Sequence, residues 1–222
     1  MSNLTELGKW TVLENDVSIK SVYKRHNDLA IYSKEDIDSA LKFVTGFRTA
    51  IDIGAHVGIV SYQLSKKFNQ VHSFEINDSV YECLQINQQK LFPNNVKIYN
   101  NGIGDREANV DLNITDKSFS THIKPKSTGN YKIVSLDSYN FENVDFIKID
   151  AEGFESLIAQ GALNTISKNK PVILFERKQH AQRYGFERDS FVDILKPYGY
   201  RMLNHKHHGF TFKKSNGILV AQ

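Results

Sequence analysis

The chain has 222 residues, 40% of them hydrophobic, and its 28 Lys and Arg against 25 Asp and Glu give a formal charge of +3. That length and apolar content suit one domain with one sizeable core, and the interspersed charges argue against a surface built for a polyanion, which needs clustered cations. The lone cysteine, Cys83, cannot form an internal disulfide, and no apolar stretch approaches the roughly 20 residues of a membrane-spanning helix.

The opening MSNLTELGKW lacks a basic-then-apolar leader pattern, so the expectation is a soluble, cytoplasmic protein with no membrane partner. Residues 1–32 alternate in TVLENDVSIKSVYKR without a clear element and read as an N-terminal lid or edge segment. In SKEDIDSALKFV, Ser33 is an N-cap candidate, and Ile37, Leu41 and Val44 recur at helical spacing. AIDI is then a short apolar strand, a glycine turn follows, and GIVSYQLSKKF is a helix.

The unit repeats as strand VHSFEI, helix DSVYECLQINQQKL with Asp78 as its cap, strand NVKIY and the loop NNGIGD. NVDLNI and YKIVSLDSY alternate like exposed strands, and the polar stretch between them, residues 117–130, is expected to be a mobile loop. VDFIKID runs into the helix of FESLIAQGAL, PVILFER is another buried strand, and RDSFVDILK is a helix. YRMLNH, GFTFK and GILVA read as a short antiparallel edge. The tail NHKHHGFTFKK, Asn204 to Lys214, reads as a solvated edge or loop rather than a nucleic-acid groove.

Strands separated by single helices imply crossovers and hence a mostly parallel α/β sheet with helices on both faces. In such a sheet, ligands bind beyond the carboxyl ends of the strands. Asp52, Glu75, NNGIGD and Asp150 all fall at that edge. Gly54 and Gly58 permit a tight turn and close approach of a ligand.

Glu75 follows Asp52 by 23 positions, about the distance at which a second strand's terminal carboxylate reaches ribose hydroxyls. Two ligands compete. A dinucleotide fingerprint requires G-x-G-x-x-G, but His56 stands two positions after Gly54, and an acid at Asp52 sits badly against pyrophosphate. These features favour a ligand carrying an ammonium and a sulfonium. An NAD(P)-dependent oxidoreductase and a non-enzymatic adenosyl- or nucleic-acid-binding module stand as alternatives.

AIDIGAHVGIVSYQLS with VHSFEIN is similar to the opening of class I methyltransferases, and VDFIKIDAEGFESLIAQGA resembles the second signature of the FkbM family of methyltransferases. The resemblance runs from about Thr49 to Glu176 and departs in two places: His56 stands where asparagine is common, and Ile76-Asn77 where proline often follows the glutamate.

The resemblance implies a Rossmann-like class I fold, S-adenosylmethionine as cofactor and methylation of a hydroxyl on a sugar or other small molecule. It places Gly54, Ala55, His56 and Gly58 along the methionine part of the cofactor and Glu75 on the ribose with Ile76 beside it; Asp52, from its place at the strand end, is read as cofactor-binding, acting directly or through water on the cationic amino group. Gly102, Ile103 and Asp105 fall at the adenine.

Asp150 and Glu152 are the candidate proton acceptors, with His122 and His180 as rivals, since an alcohol must lose its proton as its oxygen is methylated. Phe146, Lys148 and Asp150 share one strand face, so Lys148 sits buried and needs a carboxylate partner among Asp52, Asp150 and Glu176. Glu155 reads as a structural hydrogen-bonding acid. Asp150, Glu152 and Glu176 allow a Mg²⁺ ion, but nothing in their spacing requires a metal.

Overall fold

Apolar side chains two apart on a strand share a face, so runs such as TAIDI and VDFIKI bury both faces only when covered on both sides. The computed structural model, which describes residues 3–115, 120–126, 128–203 and 216–221, provides that cover. In chain order its elements are β1 (Leu4–Leu7), β2 (Trp10–Leu13), α1 (Val17–His26), α2 (Lys34–Leu41), β3 (Thr49–Ile53), α3 (Ile59–Ser65), β4 (Gln70–Phe74), α4 (Asp78–Leu91) and β5 (Val96–Tyr99). There follow β6 (Gly102–Gly104), β7 (Ala108–Val110), β8 (Leu112–Asn113), β9 (His122–Ile123), β10 (Tyr131–Ser135), β11 (Val144–Ile149), α5 (Glu155–Gln160), α6 (Leu163–Asn169), β12 (Val172–Glu176), α7 (Ser190–Leu195), β13 (Tyr200–Met202) and β14 (Asn216–Ala221).

Seven strands form the main sheet in the order β13-β14-β12-β11-β3-β4-β5. The five from β12 to β5 are parallel, and β14 and β13 add the antiparallel edge. One face buries Ile51, Ile53, Ile147 and Ile149 against Ile158, Ile166 and Phe191 of α5, α6 and α7. The other buries Ala50, Phe146 and Leu174 against Ile37, Val60 and Leu64 of α2 and α3. Strand order reverses between β3 and β11, which opens a crevice at their carboxyl ends.

The N-terminal residues are part of the core rather than an edge of this sheet. β1 and β2 make their own antiparallel hairpin, and Trp10, Val12, Ile19 and Leu29 are buried with Val57, Val80 and Cys83. Asn87, fully buried on α4, stitches the two parts: its Oδ1 accepts from Thr11 N at 2.7 Å, and its Nδ2 donates to Thr11 O at 2.8 Å and Val57 O at 2.9 Å.

Several local expectations change. Ser33 precedes α2 in a left-handed conformation and makes no side-chain cap. Asn77, not Asp78, caps α4, its side chain accepting from Ser79 N. NNGIGD is not wholly a loop: Gly102–Gly104 form β6, which pairs parallel with β10 in a three-stranded sheet completed by β7. Within 117–130, β9 pairs with β8, so the described part is anchored. Residues 117–119 and 127 and the tail 204–214 lie outside the described residues. Among the described residues, no helix is long and apolar enough to cross a membrane.

Candidate active site

Two turns meet at the reversal of strand order, each containing a non-glycine residue in the left-handed region. In the first, after β3, Gly54 has φ +76, and a Cβ there would lie 1.9 Å from the Asp150 carbonyl oxygen. Glycine therefore lets the ends of β3 and β11 touch. His56 follows at φ 54. In the second, after β11, Glu152 stands at φ 52 and Gly153 at φ 107. A Cβ on Gly153 would meet the His180 backbone at 2.5 Å. Left-handed φ at His and Glu costs on the order of 1–3 kcal/mol each and clusters where function demands a fixed geometry.

The first turn is held from β4. Gly54 N and Ala55 N donate to Phe74 O at 3.0 and 2.9 Å. His56 N donates to Glu75 Oε2 at 2.9 Å, and Asn77 N to Glu75 Oε1 at 2.9 Å. Glu75 thus joins two turns with one buried carboxylate; burial pushes its carboxyl up, and these backbone donors pull it back. The His56 ring lies with Nε2 3.6 Å from Oδ2 of Asp16, the buried N-cap of α1. Burial lowers this imidazole to about 4, against the pull of Asp16, so it is neutral at pH 7.

Beneath the turn, Lys148 finds two of its three candidate partners. Its Nζ donates to Gly54 O at 3.0 Å and lies 3.4 Å from Asp52 Oδ1 and 3.6 Å from Asp150 Oδ2. Burial works against its charge, but Asp52 and Asp150 outweigh it and hold the ammonium above its ordinary value. Asp52 is wholly buried and also accepts from Ser61 Oγ at 2.7 Å. Burial pushes its carboxyl up, opposed by Lys148 and Ser61. The ammonium keeps its proton, because it touches a carbonyl and two carboxylates.

Glu155 Oε1 accepts from Ala151 N at 3.0 Å and Gly153 N at 3.2 Å, which confirms it as the acid that shapes the second turn. Burial nevertheless raises its carboxyl from 4.5 to about 7. Because the folded value is raised, the contribution to stability is full below pH 4.5 and fades as pH rises through 7. Glu155→Gln keeps an oxygen acceptor and removes the buried charge. It is expected to leave the melting temperature at pH 5 nearly unchanged and to flatten its fall between pH 5 and 8; a wild-type pH dependence in calorimetry refutes this.

Beyond Asp150 stands a cluster from three segments. Lys178 Nζ contacts Glu176 Oε1 and lies 3.6 Å from Glu152 Oε1, and His180 Nδ1 lies 2.8 Å from Glu152 Oε2. Burial raises Glu152 to about 7, and burial with repulsion from Asp150 and Glu152 raises Glu176 to about 9.

A cavity of about 280 Å³ joins these features. One end is lined by Gly54, Ala55, His56, Glu75, Ile76, Gly102 and Ile103, the other by Tyr32, Asp150, Glu152, Glu176, Lys178 and His180, with Ser120–Ile123 closing one side. Nine of the twelve residues read from the sequence as cofactor-binding or catalytic are in this lining. Three are not. Asp52 lies below it as the partner of Lys148. Gly58 is the N-cap of α3, where a Cβ would strike Leu84 and Phe92 at 2.6 Å, so its role is packing. Asp105 pairs with Arg106 Nη1 at 2.6 Å. Tyr32, Phe154 and Lys178 were not read from the sequence; the two-residue spacing of Glu176 and Lys178 along an extended segment was a usable sign for the last.

The residues present fit an adenosyl sulfonium compound: a strand-end carboxylate for ribose, the apolar Ile76 and Ile103 for a base, and carboxylates toward a cation. The sheet order and this site define a class I methyltransferase fold. The sequence matches the Methyltransferase FkbM domain over residues 52–202, well over half the chain, and the protein belongs to that family.

Among solved structures, the FkbM methyltransferase of Methylobacillus flagellatus KT is 16% identical with a TM-score of 0.52, the match covering 91% of this chain and 57% of that one. The chain thus spans little more than half the length of that protein. SMU.1697c of Streptococcus mutans, a putative methyltransferase solved with SAH, is 10% identical with a TM-score of 0.53, over 85% of this chain and 97% of that one. No curated protein matches the sequence.

Proposed function

We propose that the protein transfers a methyl group from S-adenosylmethionine to a hydroxyl oxygen of a small polar acceptor, a sugar or similar polyol. The observation that carries this reading is one continuous cavity running from the Gly54–His56 turn and Glu75 to the acidic cluster at Asp150. The cofactor supplies an electrophilic methyl on a sulfonium.

Glu75, already oriented by two backbone donors, keeps lone pairs for ribose hydroxyls. Ile76 and Ile103 offer apolar faces to the adenine, and the Gly54–His56 turn borders the methionine part. A dinucleotide fits less well, because the His56 side chain fills the turn against Asp16 where a pyrophosphate needs bare backbone.

Methyl transfer depends mainly on alignment, which contributes several kcal/mol, and on removal of the hydroxyl proton. Asp150, with a side chain 33% exposed and anchored by Lys148, is positioned to accept that proton, and Glu152 borders the acceptor. The polar side chains at this end, Asp150, Glu152, Glu176, Lys178 and His180, suit an acceptor rich in hydroxyls.

The test is transfer of labelled methyl from S-adenosylmethionine to a panel of monosaccharides, amino sugars and phenols, with products identified by mass and NMR. A methyl ether is expected. Methylation confined to nitrogen or carbon refutes the assignment to oxygen.

A further inference from the structure

We propose that Glu152, Glu176 and His180 bind one divalent transition-metal ion at the acceptor end of the cavity. The three residues come from the turn after β11, the last position of β12 and the 3-10 segment Gln179–Tyr184. One ligand atom from each lies within 4.8 Å of the others. Donors about 2.0–2.2 Å from a shared ion in tetrahedral geometry stand roughly 3.4 Å apart, so side-chain adjustment of about an ångström closes the cluster on an ion.

A second observation points to a missing partner. Glu152 Oε2, Glu176 Oε2 and His180 Nδ1 are buried and have no hydrogen-bond partner. The 2.8 Å approach of His180 Nδ1 to Glu152 Oε2 is close enough for an ion pair but is not aligned as a hydrogen bond. Meanwhile Lys178 takes the opposite edge of the pair, at Oε1 of Glu176 and 3.6 Å from Oε1 of Glu152. One ammonium serves one edge, and the other edge, on a Glu176 side chain only 9% exposed, faces the cavity without a donor. Orphaned buried acceptors of this kind are costly unless a ligand satisfies them.

The donor set selects the ion. Mg²⁺ and Ca²⁺ favour all-oxygen shells, whereas two carboxylates with an imidazole suit Mn²⁺ or Zn²⁺. Gly153 and the Arg183 Nη1 donor to Glu152 O, at 3.0 Å, hold the second turn against the His180 segment, so the site is largely formed in advance. An acceptor hydroxyl on such an ion becomes more acidic. Its proton passes to Asp150, and its oxygen bonds the methyl carbon as the carbon–sulfur bond breaks and the pair stays on a neutral thioether. This role rests on the proposed methyl transfer; the metal site does not.

The experiment titrates the metal-stripped 222-residue chain with Mn²⁺ and follows the free aquo ion by electron paramagnetic resonance, with Zn²⁺ as competitor. One equivalent is expected to bind, Zn²⁺ to displace it, and Glu176→Gln and His180→Ala each to weaken binding tenfold or more. Glu142→Gln, an exposed carboxylate paired with Lys168, is the unchanged control. Thermal unfolding establishes that each variant is folded, and His180→Ala decides alone if Glu176→Gln is not. No uptake at millimolar Mn²⁺ or Zn²⁺, or wild-type affinity in the folded variants, overturns the site. Binding of Mn²⁺ without any methyl transfer leaves the site standing and counts against the proposed reaction instead.

Discussion

Lys148→Met is expected to destabilise the fold by about 3–5 kcal/mol, the range for removing one partner of a buried ion pair. The size follows from the surroundings. Asp52 is fully buried, and its Oδ1 has no hydrogen bond, only the ammonium 3.4 Å away. Without Lys148, Asp52 is either an uncompensated charge buried beside Ser61 of α3 or a carboxyl that has taken up a proton. The Gly54 carbonyl also loses its donor.

The double variant Asp52→Asn with Lys148→Met removes the charge and its partner together and is expected to recover most of the loss. Denaturant unfolding of the two single variants and the double measures this coupling. Additive losses contradict the pairing.

The second large effect is at Glu75. Glu75→Ala is expected to weaken binding of S-adenosylhomocysteine tenfold or more, about 1.4 kcal/mol, as loss of a charge-assisted hydrogen bond to ribose does. The same substitution removes the acceptor for His56 N and Asn77 N, so both turns lose an anchor and the melting temperature falls with it. Titration calorimetry separates the two effects, since the variant is measured folded, well below its transition. An unchanged dissociation constant there removes Glu75 from the ribose.

These two residues also show what a sequence can disclose. Asp52, Glu75 and Asp150 end apolar runs, and a parallel sheet brings the ends of its strands to one edge, so their convergence was legible before any coordinates. Period-two alternation likewise exposed Lys148 as a buried cation in need of a carboxylate. The finer placements were not legible where packing from other segments decides them.

Asp105, placed at the adenine because its loop follows the third strand, lies outside the cavity lining: Gly102–Gly104 pair with β10, and the carboxylate meets Arg106. Gly58 stands in the turn for the sake of Leu84 and Phe92 on and after α4, which no local pattern announces. The N-terminal hairpin was opaque for the same reason: its partner is Asn87, a polar residue that behaves as a strand edge only because Thr11 reaches it. His180 comes to Glu152 through the bare backbone of Gly153, a contact encoded by an absent side chain.

The most direct measurement is a crystal structure of the protein with S-adenosylhomocysteine. Its ribose is expected on Glu75, its adenine between Ile76 and Ile103, and its sulfur directed at Asp150 and the Glu152–Glu176–His180 cluster. A ligand bound elsewhere, or one whose sulfur faces away from those carboxylates, contradicts the account.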